Sequence, residues 1–314
     1  MKVYVTRSIP DPYIERMRTD ADVRVWGEAS PVPRDVLLRE ASDIDGLFSM
    51  LTDGIDGELL DCAPQLRVVS QMAVGVDNID IGAYLERGVR VGHTPDVLTG
   101  TVADHAFALL LAVARRLPEG RQEVMDGEWG TWDPWHLLGT DVHETILGIV
   151  GMGRLGNAVV RRAMGFGMEV IYASRRATGE AGRHVSFDSL LGESDHVVIA
   201  APLTEETRGM FDARAFKLMK PTATLVNVAR GPLVDSHALV DALAAGEIFG
   251  AGLDVTDPEP IPGDHPLLAL ANCLVVPHIA SASTRTRHQM AERTVDNLIA
   301  GLGGAPMPSE VVRH

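Results

Sequence analysis

The stretch GIVGMGRLGNAVVRRAMGFG, residues 148–167, decides the fold. It continues the apolar strand pattern TILGIVG, and Gly151, Gly153 and Gly156 then fit G-x-G-x-x-G where a helical pattern begins. Glycines at these positions permit a tight turn and a close approach of the backbone to a pyrophosphate, and the helix N-terminus supplies N–H groups. The stretch predicts a dinucleotide-binding domain; the alternative is a glycine-rich turn in an unrelated α/β protein.

The residues after the next strand pattern predict which dinucleotide binds. MEVIYASRR ends in Ser174, Arg175 and Arg176, about 20 residues beyond the first glycine. An acidic residue there would hold a ribose 2′-hydroxyl and indicate NAD(H), whereas a hydroxyl followed by two arginines suits a 2′-phosphate. We therefore expect NADP(H) to be preferred, with NAD(H) possible. The alternative is a solvated basic turn.

Short β-branched runs alternate with helical patterns along the chain, which predicts parallel sheets with crossover helices. A first series of strands lies in KVYVT, GLFSM, RVVSQM and VRVGHTP, and a second series begins at TILGIVG. The helix over 235–246 has helix-capping residues at both ends, Asp235 and Gly246. Further strands are expected near 169–173, 196–200, 223–228, 249–254 and 273–276, and further helices over 34–41, 80–87 and 283–302.

The pattern predicts an α/β chain with two Rossmann-like or flavodoxin-like doubly wound parallel-sheet domains and a cleft between them. Residues 1–98 with 284–314 form the discontinuous substrate-binding domain, because the last helix is expected to pack back on the first series. Residues 99–283 form the dinucleotide-binding domain. Within it, residues 118–144 interrupt the alternation with a run rich in Trp, Gly and Pro. We expect an extended excursion there and name it the arm.

Composition disfavours several classes of function. A formal net charge of −15 argues against nucleic acid or an anionic membrane as a partner, because both require a basic face. With only Cys62 and Cys273, a disulfide framework or a cysteine metal cluster is not expected. The N-terminal MKVYVTRSIP is typical of an amphipathic strand, and no run of about 18 apolar residues occurs. We expect a soluble cytoplasmic protein with no metal site and no membrane partner.

Four chemistry-bearing residues follow strand patterns of the second series. LVNVARGPLVD contains Arg230, GLDVTDPEP contains Asp254 and Glu259, and VVPHIAS contains His278. In an open α/β sheet, ligands bind beyond the carboxyl ends of the strands, so all four are expected on the cofactor side. Each also has a simpler interpretation as a surface ion pair, a turn acid or a turn histidine.

The glycine stretch and these three segments, in this order and spacing, resemble the D-isomer-specific 2-hydroxyacid dehydrogenases. VGVDNID and TPDVLT in the first domain extend the resemblance over essentially the whole chain. The segments TPDVLTGTVAD, RRLPEG, GEWGTWDPW, GLDVTDPEPIPGDHPLL and APMPSE resemble the glyoxylate/hydroxypyruvate reductase branch. The resemblance implies NADPH-dependent reduction of glyoxylate and hydroxypyruvate to glycolate and D-glycerate.

The resemblance also implies roles for individual residues. His278 is expected to protonate the substrate carbonyl, Glu259 to hold its ring as imidazolium, and Arg230 to bind the substrate carboxylate. The other residues implied for the substrate are Leu51, Val74, Gly75, Ser281 and, from a partner subunit, Trp132. The residues implied for the cofactor are Gly151, Gly153, Arg154, Leu155, Gly156, Ser174, Arg175, Arg176, Pro202, Thr207, Val228, Ala229, Asp254, His278 and Ala280.

Trp129, Trp132 and Trp135 in the arm indicate an interface. An apolar projection has too little chain around it to bury three indoles alone, and exposed aromatic patches usually mark contact surfaces. The simpler interpretation is that the indoles pack the arm itself. We expect a homodimer in which the arm crosses to the partner.

Alternative functions remain open at this stage. A different 2-keto acid is one, and a dinucleotide-sensing corepressor that keeps the fold and binds peptide is another. Relatives that oxidise formate or phosphite share the fold, but the phosphite type carries a basic residue where this chain has Val74. Phosphoglycerate-type relatives usually carry an additional regulatory domain, which is not expected here because the sequence ends soon after the last helix.

Overall fold

The computed structural model describes residues 1–178 and 182–312. The chain divides into two compact units, Met1–Leu98 with Ser283–His314, and Thr99–Ala282. The first unit resumes at Ser283, one residue before the predicted boundary at residue 284. The Ser283 hydroxyl accepts from Thr286 N–H at 3.3 Å and caps the helix that begins at Thr284. Residues 179–181 and 313–314, which the predicted domains include, lie outside the described residues.

The first unit contains a five-stranded parallel sheet in the order β2-β1-β3-β4-β5, the flavodoxin-like order. Strands β3 and β4 are buried at every position, without alternation between exposed and buried residues, as expected where helices cover both faces. Its elements over residues 1–98 are β1 Lys2–Val5, α1 Asp11–Arg18, β2 Asp22–Val25, α2 Arg34–Ala41, β3 Gly46–Ser49, α3 Gly57–Cys62, β4 Val68–Gln71, α4 Ile81–Glu86 and β5 Arg90–Gly92.

The second unit contains a seven-stranded parallel sheet in the order β12-β11-β10-β9-β6-β7-β8. The chain order reverses between β6 and β9, which is the switch point where doubly wound folds bind dinucleotides. Its elements are α5 Thr99–Ala114, α6 Leu117–Asp126, β6 Ile146–Val150, α7 Arg154–Ala163, β7 Glu169–Ala173, β8 Arg183–His184, α8 Phe187–Glu193, β9 His196–Ile199, α9 Ala213–Leu218, β10 Thr224–Asn227, α10 Ser236–Ala245, β11 Gly250–Leu253 and β12 Cys273–Val275.

The last helix, α11 Thr284–Leu302, returns to the first unit. Its Val295 and Leu298 are fully buried against Val5, Phe48 and Val68 of the first sheet. Burial of apolar surface of this kind stabilises by about 25 cal/mol per Å². Helix α11 thus packs on the first sheet, and the two predicted parallel-sheet domains are confirmed.

Local expectations mostly hold, with one correction. The helix predicted over 235–246 is α10, capped by the Asp235 side chain and ended by Gly246 in the left-handed conformation. The arm is not extended throughout, because its first third is α6, which ends at Gly127 with φ of 74°. The short strands β2 and β8 and helices α1 and α3 had no sequence prediction. No helix among the described residues is long and apolar enough to cross a membrane.

A buried histidine connects the end of the arm to the second sheet. His196 on β9 is fully buried; its Nδ1 lies 2.7 Å from Thr224 Oγ1 and its Nε2 lies 3.0 Å from the carbonyl of Asp141. A carbonyl only accepts, so Nε2 carries the proton and donates. Burial lowers the pKa of His196 below its ordinary value of 6.5, although the bond to Asp141 opposes this.

We predict that His196 lowers the free energy of unfolding as the pH is decreased from about 7 to about 5. Because the folded protein binds the His196 proton less tightly than the unfolded chain, the unfolded state takes up more protons as the pH falls below 6.5. In thermal unfolding, His196→Gln should therefore lose less stability than the wild type over this range. Equal losses in the two proteins would contradict the prediction.

Candidate active site

Three neighbouring strands bring the predicted catalytic residues to one edge of the second sheet. Strands β10, β11 and β12 are adjacent and parallel, so their carboxyl ends meet at this edge. Arg230 follows β10, Glu259 follows β11 and His278 follows β12. The expectation that these residues lie on the same side as the glycine loop holds, because that loop follows the parallel strand β6.

Glu259 and His278 form a hydrogen-bonded pair. His278 Nδ1 lies 2.6 Å from Glu259 Oε1, and both side chains are about one third exposed. Burial alone would raise the pKa of Glu259, but the hydrogen bond and charge of His278, with smaller effects from Thr256 N–H and Arg230, outweigh it and lower that pKa. Glu259 therefore stays ionised to lower pH than usual and orients the ring, and the role of His278 as a proton donor stays a prediction.

A buried carboxylate holds the turn that carries His278. Asp254 is 1% exposed; its Oδ1 accepts from Ile279 N–H at 2.7 Å and its Oδ2 from Ala280 N–H at 3.0 Å. Its backbone carbonyl accepts from His278 N–H at 2.9 Å. His278 itself has φ of 52°, a left-handed conformation that is uncommon outside glycine. Asp254 thus positions the turn, and the contact with the cofactor that the resemblance implies stays a prediction.

His105, which sequence reasoning did not identify, contacts this carboxylate. Its Nε2 lies 3.2 Å from Asp254 Oδ1, without the alignment of a hydrogen bond. His105 lies on α5, in a run that is otherwise mostly apolar, and a lone histidine in such a helix gives no functional signal. Only the packing of α5 against β11 shows the contact.

Close backbone packing places Arg230 beside the loop of Glu259. At Gly231 a Cβ atom would lie 1.9 Å from the Thr256 carbonyl oxygen, so only glycine permits this approach. Asn227, fully buried at the end of β10, donates from Nδ2 to the Arg230 carbonyl at 2.8 Å. The sequence analysis did not identify Gly231 or Asn227. Both lie in the segment VNVARGP, beside Arg230, and this position was the only sequence signal for them.

The glycine loop leaves free space at Gly153, where a dinucleotide is expected to bind. We call this space the glycine cradle. A Cβ at Gly151, whose φ is 99°, would lie 2.6 Å from Ala201 N, and one at Gly156 would lie 2.4 Å from the Gly151 carbonyl. Both glycines are therefore required by the fold. A Cβ at Gly153 would meet nothing within 4 Å. Gly153 is also the N-cap of α7 and has no side chain to accept from the first N–H groups, so the residues fit a bound pyrophosphate.

The predicted 2′-phosphate residues form a supported turn after β7. Ser174 Oγ donates to the Arg176 carbonyl at 2.6 Å, and His184 Nε2 lies 3.0 Å from the Ser174 carbonyl, which makes the histidine the donor. Arg175 and Arg176 are exposed. His184, on the two-residue strand β8, was not identified from the sequence.

The remaining predicted cofactor residues follow strands of the same sheet. After β9, Thr207 Oγ1 donates to the Pro202 carbonyl at 2.8 Å and closes that loop. The others are Arg154 and Leu155 at the start of α7, Val228 and Ala229 after β10, and Ala280 after β12. Among residues 1–178 and 182–312, no group of three or more His, Cys, Asp or Glu side chains is placed to hold a metal ion.

The predicted substrate residues fall in three places. In the first unit, Leu51 follows β3, and Val74 and Gly75 follow β4; Leu51 and Val74 are each 37% exposed. In the second unit, Ser281 lies in the turn after His278. Trp132 lies on the arm and is 80% exposed. Their binding roles stay predictions.

We predict that Gly153→Ala separates cofactor binding from folding. Because a methyl group at this position meets no protein atom within 4 Å, the melting temperature should stay close to that of the wild type. The methyl group would occupy the space of a pyrophosphate, so the dinucleotide Kd should rise by about 10-fold or more, the loss of about 1.4 kcal/mol. Calorimetric titration measures this, with Gly165→Ala as a control at another open glycine. An unchanged Kd would rule out the cradle.

Comparison with known proteins agrees with this geometry. The family model described as "D-isomer specific 2-hydroxyacid dehydrogenase, NAD binding domain" matches residues 107–280. A Thermococcus gammatolerans protein named glyoxylate reductase is 47% identical over 319 residues, covering 99% of this chain and 95% of the relative.

Solved structures give the same result. A Thermus thermophilus protein has a TM-score of 0.95 and 47% identity, over 99% of this chain and 100% of that chain. The NADPH-dependent glyoxylate/hydroxypyruvate reductase of Sinorhizobium meliloti, in complex with NADP and malonate, has a TM-score of 0.87 and 32% identity, over 99% and 96% of the two chains. With its nicotinamide dinucleotide-binding domain and its predicted catalytic residues on one sheet edge, the chain belongs to the D-isomer-specific 2-hydroxyacid dehydrogenase family of enzymes.

Proposed function

We propose that this enzyme reduces glyoxylate and hydroxypyruvate with NADPH, giving glycolate and D-glycerate. The observation that carries the proposal is the Glu259–His278 pair, at 2.6 Å, on the same sheet edge as the open glycine cradle. The names of the Thermococcus and Sinorhizobium relatives support the substrates, and the Sinorhizobium name also supports the cofactor.

The proposed chemistry adds a hydride to C2 of the keto acid and a proton to its carbonyl oxygen. Bound NADPH supplies the hydride. His278 donates the proton, and the Glu259 carboxylate stabilises the imidazolium before transfer. Each turnover consumes one NADPH and one proton and forms NADP⁺ and the hydroxy acid. The left-handed turn that Asp254 holds would keep the His278 ring in a fixed orientation during this transfer.

The keto acid carries a carboxylate that needs its own site. We assign it to Arg230 and to the backbone N–H groups of the loop containing Val74 and Gly75, since a guanidinium binds carboxylates through paired charged hydrogen bonds. Leu51 and Ser281 would complete the substrate surroundings. These local positive groups would attract the anion despite the net charge of −15.

Two other functions remain distinguishable from this proposal. A dehydrogenase for a different 2-keto acid would turn over pyruvate or a bulkier acid faster than glyoxylate. A dinucleotide-sensing corepressor would bind the cofactor and turn over neither acid. Steady-state kinetics with glyoxylate and hydroxypyruvate, each with NADPH and with NADH, separates these possibilities. We also propose a cytoplasmic location, which suits the two free cysteines, Cys62 and Cys273.

We predict that His278→Ala lowers kcat for glyoxylate by at least about 100-fold, the usual scale for a lost general acid. The NADPH Kd should change much less. His237→Ala, at an exposed histidine on α10, is the matched control and should retain wild-type kcat. Near-normal turnover in His278→Ala would refute the proposed mechanism.

The proposed NADPH preference depends on Ser174, Arg175 and Arg176. A charge-assisted hydrogen bond contributes about 1.5–3 kcal/mol, so truncating either arginine to Ala should lower kcat/KM for NADPH by about 10- to 100-fold. With NADH the value should barely change, because no 2′-phosphate is present. Arg161→Ala, an exposed arginine on α7, controls for the lost charge. Equal kcat/KM for the two cofactors in the wild type would exclude the preference.

We propose that the arm forms a two-fold dimer and that Trp132 reaches the partner's active site. Trp129, Trp132 and Trp135 are 66%, 80% and 79% exposed, which overturns the simpler interpretation that they pack the arm. Val124 and Met125 in the same arm are 56% and 61% exposed, and exposed large apolar side chains are typical of surfaces that subunit contacts bury.

If Trp132 shapes the space beside the substrate C3 group, Trp132→Ala should change the ranking of keto acids more than the NADPH Kd. Kinetics with glyoxylate, hydroxypyruvate and a bulky keto acid test the ranking, with Trp135→Ala as the matched variant. Sedimentation at micromolar concentration tests the dimer. A monomer, or an unaltered ranking in Trp132→Ala, would defeat this part of the proposal.

A further inference from the structure

The loop after β4, residues 73–78, is held through its carbonyl groups. The Ala73 carbonyl accepts from Thr94 N–H at 2.9 Å. The Val74 carbonyl lies 3.0 Å from His93 Nδ1. A carbonyl only accepts, so His93 must carry a proton on Nδ1 and donate. Both donors come from the chain that leaves β5, the edge strand of the first sheet.

A buried amide pair holds the next carbonyl. Gln71, the last residue of β4, is fully buried, and its Nε2 donates to the Gly75 carbonyl at 2.6 Å. Gln71 and Asn78 exchange two hydrogen bonds of 2.8 Å each, and Asn78 Nδ2 also donates to the Asp53 carbonyl at 2.8 Å. Both ends of the loop are thereby fastened to the sheet of the first unit.

Three successive carbonyls in this loop are therefore occupied by scaffold donors. In a trans peptide the N–H points opposite to the carbonyl of the same unit. The N–H groups of Val74, Gly75 and Val76 are thus turned away from the groups that hold the carbonyls. Among residues 1–178 and 182–312, no hydrogen-bond acceptor for these three N–H groups is found. Successive unpaired backbone N–H groups of this kind are suited to binding an anion.

We propose that His93 and Gln71 are positioning residues that preset this loop for the substrate carboxylate. The inference rests on the proposed function, in which the loop binds the carboxylate of a 2-keto acid. With the carbonyls already bonded, the N–H groups require little reorganisation when the anion arrives, and such preorganisation improves affinity. Neither residue touches the reacting atoms; both act through the peptide groups that they orient.

His93 offers a matched pair of variants. Asn and Leu have nearly the same shape, but only the Asn amide can donate from a position close to that of the histidine Nδ1. In His93→Leu the Val74 carbonyl loses its partner and the peptide unit is free to rotate. In His93→Asn the donor is kept. Gln71→Met is the corresponding change at the second donor, with similar side-chain length and no amide.

The experiment measures glyoxylate kinetics at saturating NADPH for the wild type and the three variants. A net hydrogen-bond contribution corresponds to a KM increase of about 3- to 10-fold in His93→Leu and in Gln71→Met. The carboxylate contact is the same in the ground state and the transition state, so kcat should change little. His93→Asn should restore the wild-type KM. The Kd of oxalate, a dicarboxylate that is not reduced, should change in the same order when titrated into each enzyme–NADPH complex.

The outcomes separate this inference from the proposed function. Unchanged KM and oxalate Kd in His93→Leu, in an enzyme that reduces glyoxylate, would overturn the positioning role and leave the function intact. An equal KM increase in His93→Asn and His93→Leu would also overturn it, since loss of the donor would not be the cause. If the wild type reduces no keto acid, the proposed function fails, and the oxalate titration still decides the inference: no oxalate binding to the wild type would overturn it. A melting temperature for each variant close to that of the wild type confirms folding.

Discussion

The hydrogen bond between Glu259 and His278 is the interaction on which the rest of the catalytic edge depends. It is 2.6 Å long and joins the loops that follow two adjacent strands, β11 and β12. A charged pair at the surface contributes little to stability, so its value lies in the orientation of the ring rather than in folding. The pKa of Glu259 is lowered in spite of its burial, which keeps this carboxylate ionised to lower pH. The parallel sheet brings these two residues together, because it places all strand ends at one edge.

The surrounding structure supports a strained position for the histidine. A left-handed conformation at a non-glycine residue costs about 1–3 kcal/mol, and His278 has φ of 52°. Asp254 offsets this by accepting from the two N–H groups that follow His278, inside a fully buried site next to His105. In the first unit the loop after β4 shows the reverse: the carbonyl groups of Ala73, Val74 and Gly75 accept from neighbouring donors, while the N–H groups of Val74, Gly75 and Val76 have no acceptor among the described residues.

The sequence predicted most of the fold because its signals are local. The segment 148–167 by itself predicts a tight turn, a close approach of the backbone to a ligand and the start of a helix. The structure shows that no side chain fits at Gly151 or Gly156. The strands and the capped helix α10 are likewise predicted by residues that are close together in the sequence. The strand patterns predict that Arg230, Glu259 and His278 lie at one edge of the sheet, because parallel sheets bring strand ends together, whereas their roles rest on the family resemblance. Short elements such as β8, with two residues, carry too little periodicity to be predicted.

The supporting residues could not be predicted, since their roles arise from contacts between distant segments. His105, Gly231, His184 and the pair of Gln71 with Asn78 act through groups that only the folded chain brings near. The most direct test of the account is the pH dependence of kcat/KM for glyoxylate reduction in the wild type and in Glu259→Gln, with Asp241→Asn, at an exposed acid on α10, as the control for lost charge. In Glu259→Gln alone, the fall in activity at high pH should move to lower pH, because the ring of His278 loses the carboxylate to which it is hydrogen-bonded. A fall at the same or higher pH in that variant would contradict the account.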